Sequence, residues 1–449
     1  MKPSTYDVLI IGGGVSGAAL FYELERYTDV GSICLLEKYG ALATLNSSAA
    51  SNSQTLHCGD IETNYTLEKA ARVKRTAKMV EKYCLAHGYE KTIIHAHQKM
   101  ALGVGYDEVD FMIKRHNEFS GLYPYLRIFD RETLKRIEPA VIYDEQGRER
   151  RDEVVGVGVR GEYTTVDFKR LSESFIGNAV RSKKCRTDLF FNRHVEHIEK
   201  RGDLFEVRTG GETYFASFVV VDAGAHSLFL AHRMGYGLDF GILPMAGSFY
   251  RSTKHILNGK VYMVQNPKLP FAALHGDPDL LLDGLTRFGP TALMLPKLER
   301  YTRGTILDFF RTLRFDRNIV RIFYDLLRDR DIRNYVLRNF LFEVPGLNKR
   351  LFVRDARKIV PSLRPEDIEY AAGFGGVRPQ VLDKKNRRLM LGEASIDTGE
   401  GIVFNMTPSP GATSCLGNAR RDVERICSHL NRHFDAARFD AELTEGEGP

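Results

Sequence analysis

The chain begins with an apolar run that breaks abruptly into glycine. Residues 6–11, Tyr-Asp-Val-Leu-Ile-Ile, are short and β-branched, the pattern of a strand buried in a parallel sheet. Gly12, Gly13, Gly14, Val15, Ser16 and Gly17 follow in the spacing G-x-G-x-x-G, and residues 18–27 continue with helical periodicity. Residues 32–36 predict a second strand that ends at Glu37, twenty residues after Gly17. The motif of an apolar strand running into small residues returns at residues 218–221, before Asp222, Ala223, Gly224 and Ala225. A third cluster of small residues, 408–414, includes Gly411, Ala412 and Thr413 and precedes a helix-like segment over 415–431. Residues 303–338 carry nine arginines among Leu307, Phe309, Phe310, Leu313, Ile319, Phe323 and other bulky apolar residues, and predict two or three amphipathic helices.

Each part of the opening motif has a physical job. Gly12 permits the tight turn, Gly14 lets backbone approach a pyrophosphate, and Gly17 lets the helix pack on the strand. The helix N-terminus offers unpaired amides and the positive end of its dipole to phosphates. Glu37 can accept hydrogen bonds from ribose hydroxyls, and an acid there disfavours a 2′-phosphate. Strand, glycines, helix, strand and acid in this order predict a bound dinucleotide rather than an empty glycine turn. FAD is favoured over NAD because flavoproteins often open with this unit and return to the cofactor much later. Ala223, Gly224, Gly411, Ala412 and Thr413 are the candidate returns. Small residues at the start of the 415–431 helix could admit a flavin ring, and its amides could stabilise negative charge there. The alternative for both returns is an ordinary strand end and an ordinary helix cap.

The length of 449 residues predicts two domains sharing an interface. The most apolar stretch, 8–22, contains four glycines and is shorter than the roughly 20 residues a membrane span needs. No secretory signal is expected. The six cysteines, at 34, 58, 84, 185, 415 and 427, have no metal or redox spacing, so reduced thiols and a cytoplasmic setting are expected. The net charge of +6 suits an anionic substrate or an anionic membrane surface. With no concentrated basic run carrying base-stacking residues, no nucleic-acid partner is expected. The arginine-rich helices are either solvated faces packed on the second domain or a docking surface for anionic lipid beside which a quinone enters. The acidic tail after Asp440 is expected to fray.

These motifs together resemble a known group. The strand with GGGxxG, the V-D-A-G-A segment and Gly375-Gly-Val-Arg378-Pro379-Gln380 resemble the D-amino-acid-oxidase-like FAD superfamily. Residues 47–66 resemble malate:quinone oxidoreductases and L-2-hydroxyglutarate dehydrogenases, and residues 261–298 and 405–416 are most similar to the shorter malate:quinone oxidoreductases. The resemblance implies an α/β and α+β fold. A doubly wound FAD-binding domain would comprise roughly 1–95, 150–230 and 356–449, and a mainly antiparallel substrate domain 96–149 and 231–355. It also implies that Ser48 and Val195 contact the cofactor. The implied activity is FAD-dependent oxidation of L-malate, with electrons passed to quinone on the cytoplasmic face of the inner membrane. L-2-hydroxyglutarate dehydrogenase is the first rival, since one methylene discriminates by only about 1–3 kcal/mol. An amine-oxidising flavoenzyme and a non-catalytic dinucleotide binder are further alternatives.

Oxidising a 2-hydroxy acid requires a clamped carboxylate, a base for the hydroxyl proton, and a C2 hydrogen facing the flavin. Arg378 is the first candidate clamp, with Gln380 beside it; Arg287, in an apolar strand, is the second, its alternative being a structural ion pair. Two histidines compete for the base. His275, in Phe271-Ala-Ala-Leu-His275-Gly-Asp277, resembles a flavin-facing position in hydroxyglutarate dehydrogenases, with Asp277 able to orient its ring. His57 is placed by resemblance beneath or beside the flavin. Imidazole suits the work because its ordinary pKa lies near neutrality, although a histidine in an apolar strand is often a satisfied core residue. His95 and His97 are expected at the surface.

Overall fold

A computed structural model describes residues 4–265, 273–344, 346–390, 392–408 and 410–444. Strand β1 (Ser4–Ile11) leads through the glycine turn into helix α1 (Val15–Tyr27), and the chain returns as β2 (Ser32–Leu36). Helix α1 starts three residues earlier than the periodicity suggested, because Gly14 already stands at its N-cap in extended conformation. Gly17 therefore lies inside the helix, where a Cβ would come within 2.1 Å of the Gly12 carbonyl oxygen.

β1 is the centre of a parallel sheet in which the strands run Arg186–Phe190, β2, β1, Thr213–Val221 and Ile402–Met406. In chain order this is 3-2-1-4-5, so the winding reverses between β1 and Thr213–Val221. Ala394–Asp397 adds an antiparallel edge, and the hairpin of Val195–Arg201 and Leu204–Thr209 extends from Thr213–Val221. Alternation along β1 sends Val8 and Ile10 into one core, with α1 and the helices Phe168–Ser182 and Cys415–Leu430. Leu9 and Ile11 enter a second core with Phe205, Val207 and the helix His226–Arg233. Both faces are covered, which explains the unbroken apolar run.

The second part is mainly antiparallel. Its eight strands run Ile368–Tyr370, Tyr250–Ser252, Thr286–Gly289, His275–Pro278, Lys260–Met263, Lys99–Val104, Val154–Val159 and Arg127–Phe129. Only the contact of Lys260–Met263 with Lys99–Val104 is parallel. A separate sheet joins Leu293–Met294, Phe240–Ala246, Val377–Asp383 and Arg388–Met390, all antiparallel. Val154–Val159 and Val377–Asp383 fall in segments expected with the parallel sheet, yet they pair with the antiparallel ones. The glycines of Val-Val-Gly-Val-Gly-Val permit the close approach: a Cβ on Gly158 would lie 2.2 Å from the Lys99 carbonyl oxygen.

The arginine-rich segment forms three helices, Thr305–Leu313, Arg317–Arg328 and Arg330–Leu341. Asp316 and Asp329 cap the last two by accepting from backbone amides. The expected fraying after Asp440 does not hold for residues 440–444. They form one turn of π-helix held by Glu442, which takes Arg26 at 2.6 Å and the Tyr27 hydroxyl at 2.7 Å. The remainder of the tail, residues 445–449, lies outside the described residues, as do Phe271, Ala272 and Ser409 of the motifs quoted above. His95 and His97 are half-buried rather than superficial; the His97 Nδ1 lies 2.9 Å from the Thr165 hydroxyl. The six cysteines are free thiols. Among the described residues no helix is long and apolar enough to cross a membrane.

Candidate active site

A cleft open to solvent begins at the carboxyl ends of β1 and Thr213–Val221. That is the point where strand order reverses, which is where doubly wound sheets hold their ligands. Gly12 turns the chain with φ +116°, and a Cβ there would strike the Asp222 carbonyl oxygen at 2.4 Å. A Cβ on Gly14 would meet only the Ser47 hydroxyl, at 3.3 Å, so the protein itself leaves the space above Gly14 open. Glu37 Oε2 accepts from the Gly13 amide at 2.6 Å, and Oε1 from the Tyr39 amide at 2.8 Å. Burial raises the pKa of this carboxyl, while the two amides oppose the rise. Its position beside the glycine turn fits a ribose, and the N-terminal end of α1 fits a pyrophosphate.

Of the other residues expected on the cofactor, Val195, Ala223, Gly224, Gly411, Ala412 and Thr413 line the cleft. Gly17 lies beneath it as packing. Ser48 does not line it; its backbone builds a turn, with its amide bonded to the Leu45 oxygen and its oxygen accepting from Ser51. The neighbouring Ser47 takes the place at the helix start, accepting from the Val15 amide at 3.0 Å. Asp222 was not singled out among the cofactor residues, yet it lines the cleft; burial and the nearby Asp422 push its carboxyl up to about 7, against a hydrogen bond from Asn405.

The same cleft holds His57 and Arg378. The His57 amide donates to Thr413 Oγ1 at 3.1 Å, tying the histidine to the Gly411–Thr413 turn of the cleft lining. Its Nδ1 lies 2.6 Å from Glu62 Oε1. Burial raises the pKa of Glu62, but the hydrogen bond and charge of His57, with Lys99, bring it down to about 2. Arg378 projects from the start of Val377–Asp383, and its backbone register is held by the Val377 amide donating to Asn46 Oδ1 at 2.9 Å. Among the described residues its guanidinium makes no hydrogen bond or ion pair, and burial lowers its pKa. Gln380 follows on the same face of the strand but is buried away from the cleft, its Oε1 without a partner among the described residues.

The other two candidates lie outside the cleft lining. Arg287 is wholly buried: its guanidinium sits 3.1 Å from Asp279, 3.6 Å from Asp277 and over the Phe249 ring at 4.3 Å. It also donates to the Ala49 and Asn52 carbonyls. A cation set between two carboxylates and outside the cleft favours the structural ion pair, the alternative the sequence left open, over a substrate clamp. His275 is buried, stacked on Tyr262 with centroids 4.2 Å apart, its Nε2 lying 3.2 Å from Asp277. Burial lowers its pKa, with Asp277 opposing. Asp277 does adjoin His275 as expected, but the same carboxylate also serves Lys260 and Arg287, which together with His275 hold it ionised against burial. Between the two histidines the geometry favours His57, which faces the cleft.

The family model for malate:quinone oxidoreductase (Mqo) matches residues 4–432. The chain belongs to the malate:quinone oxidoreductase family. It is 55% identical over 448 residues to a probable malate:quinone oxidoreductase of Campylobacter jejuni, covering 99% of this chain and 100% of the relative. The mitochondrial L-2-hydroxyglutarate dehydrogenase of Nematostella vectensis is more distant, at 27% identity over 96% of this chain and 92% of the relative. The fold is shared with the FAD-bound L-α-glycerophosphate oxidase of Mycoplasma pneumoniae, with a TM-score of 0.63, 21% identity and 96% of each chain covered. Within this family member, the residues missed by sequence reasoning are Ser47, Asp222 and Glu62. The first two adjoin motifs that were recognised. Glu62 stands five residues after His57, a spacing that signals contact only once the intervening turn is known.

Proposed function

We propose that this enzyme oxidises L-malate to oxaloacetate on a bound FAD and passes the electrons to a membrane quinone. The observation that carries the proposal is one cleft that joins a dinucleotide cradle, an accessible histidine and an arginine with no hydrogen bond or ion pair among the described residues. A half-buried cation unpaired among the described residues is costly unless a ligand supplies the anion, and the planar guanidinium matches a carboxylate in a two-bonded fork. Arg378 accordingly clamps a substrate carboxylate, and His57 takes the hydroxyl proton. When bound, FAD supplies the hydride acceptor. The glycine turn, the α1 amides and Glu37 hold its dinucleotide half, and the Gly411–Thr413 turn adjoins its reactive end. The parallel sheet forms the cofactor domain and the antiparallel sheets the substrate domain. The strands Val154–Val159 and Val377–Asp383 go to the substrate side by their pairing.

Membrane association follows the outer face of the three arginine-rich helices. Phe309, Leu313, Ile319 and Ile322 turn inward and are buried. Leu307, Phe310, Phe315, Tyr324, Leu337 and Phe340 remain more than half exposed, interleaved with Arg311, Arg314, Arg317, Arg321 and Arg333. Apolar side chains flanked by cations match the boundary of an anionic bilayer, and the proposed location is the cytoplasmic face of the inner membrane. The experiment that tests the activity is an anaerobic panel of L-malate, L-2-hydroxyglutarate, L-lactate and amino acids. Malate is expected to reduce the flavin with the highest kcat/KM. Preference for the five-carbon acid or for an amine would overturn the substrate assignment.

A further inference from the structure

The turn between His57 and Glu62 is built to bring two side chains together. Gly59 stands at φ +83°, where a Cβ would lie 2.7 Å from the Tyr123 hydroxyl and 2.8 Å from the Ala70 Cα. No other residue fits there without displacing backbone. Tyr123 donates to the Cys58 carbonyl at 2.7 Å, and Arg115 donates to the Glu62 carbonyl at 2.5 Å, so both ends of the turn are fixed. The result sets Glu62 Oε1 2.6 Å from His57 Nδ1, with the carboxylate buried and the imidazole 17% exposed at the cleft. Glu62 Oε2 has no hydrogen-bond partner among the described residues.

We propose that Glu62 is the positioning residue of a histidine–glutamate pair, holding His57 in the tautomer that carries its proton on Nδ1 and presents Nε2 to the substrate hydroxyl. The inference rests on the reading of His57 as the base. During oxidation the O–H bond breaks and its proton passes to Nε2. The C2–H bond breaks with its electron pair, for which a bound FAD would supply the acceptor, leaving the C2=O bond of the ketone. His57 then carries a positive charge beside the Glu62 carboxylate, and the pair is worth most in a site shielded from water. The neighbouring charges leave this role to Glu62. Asp60 is engaged with Lys99 at 2.8 Å. Arg115 is turned to backbone oxygens and the Phe119 ring. Lys69 lies over the Tyr65 ring. Tyr262 meets the His57 ring edge to face, with centroids 6.5 Å apart.

The test uses the FAD-bound enzyme and its variants Glu62→Gln, Glu62→Asp, His57→Ala and the double variant His57→Ala/Glu62→Gln. Flavin reduction by L-malate is followed by anaerobic stopped-flow across pH, beside flavin content and reduction by dithionite. Removing the negative charge disfavours the imidazolium, so in Glu62→Gln the acid limb of the rate profile moves to lower pH. Its plateau falls by about 10²–10⁴-fold with KM little changed. Glu62→Asp recovers part of the loss, and the double variant is no slower than His57→Ala, because the two residues act as a unit. If His57→Ala loses the rate while Glu62→Gln keeps the wild-type rate and acid limb, the positioning role is overturned and the base reading stands. If His57→Ala keeps the wild-type rate, the base reading falls and the pair with it. A Glu62→Gln variant that loses flavin or shifts KM alone, with an unmoved acid limb, would assign Glu62 a structural role instead.

Discussion

Replacing Arg378 with methionine removes the guanidinium and retains much of the aliphatic bulk. In the free protein that guanidinium has no hydrogen bond or ion pair among the described residues, and burial already works against its charge. The substitution therefore should not lower the thermal midpoint, and loss of an uncompensated cation should be neutral or mildly stabilising. The substrate complex is different. A charge-assisted hydrogen bond contributes about 1.5–3 kcal/mol, which corresponds to about 10- to 150-fold in affinity. The bond exists in ground state and transition state alike, so KM for L-malate should rise by that factor, and misalignment can add a fall in kcat. Initial rates with a soluble quinone analogue at varied malate, beside a thermal melt of the same preparation, measure both sides. An unchanged KM, or a melt lowered by several degrees with KM intact, would refute the claim that Arg378 is held unpaired for the substrate.

Three further outcomes follow from the same geometry. Gly14→Val should yield folded but colourless protein, since its Cβ meets only Ser47 within the chain and otherwise fills the space facing the pyrophosphate; normal flavin absorbance would remove the cradle assignment. Arg287→Met should lower stability by about 3–5 kcal/mol, because it leaves Asp277 and Asp279 buried without their shared cation; a chemical melt reads this, and a near-zero change would contradict the ion-pair assignment. Anionic vesicles should capture the enzyme in a flotation assay, with capture weakening as salt rises and on replacing Phe310, Phe315 and Tyr324 by serine; absence of capture at low salt would count against the docking face.

What could be read from the sequence was what lies close together in it. The first 37 residues contain strand, turn, helix, strand and acid without interruption, and they fold as their order implies. Ala223–Gly224 and Gly411–Thr413, expected to return to the cofactor, do line the cleft, and small residues after an apolar strand or before a helix were the signal for them. The roles of Arg287 and Arg378 were not separable in this way: one stands in an apolar strand and the other between glycines and a proline, and neither setting names a partner. Their difference lies in pairing. Asp277 stands directly opposite Arg287 across an antiparallel pair of strands. Asp283-Gly284, both at positive φ, marks the connecting turn and was the available signal. The structure sets His57 rather than His275 along the cleft, which the sequence could not show because a strand's local sequence does not say which of its faces meets the cleft. Val154–Val159 was grouped by its place in the chain, whereas its glycines fitted it to Lys99–Val104.

The most direct test of the central claim is a single anaerobic turnover followed by a choice of acceptor. Purified enzyme is mixed with excess L-malate in the absence of oxygen, the flavin spectrum is recorded, and the reduced enzyme is freed of substrate and divided between a quinone analogue and aerated buffer. The oxidised flavin bands should bleach with one oxaloacetate formed per flavin, and colour should recover much faster with the quinone than with oxygen. Flavin that stays oxidised in malate, or reduced flavin that recovers with oxygen but not with quinone, would contradict the claim.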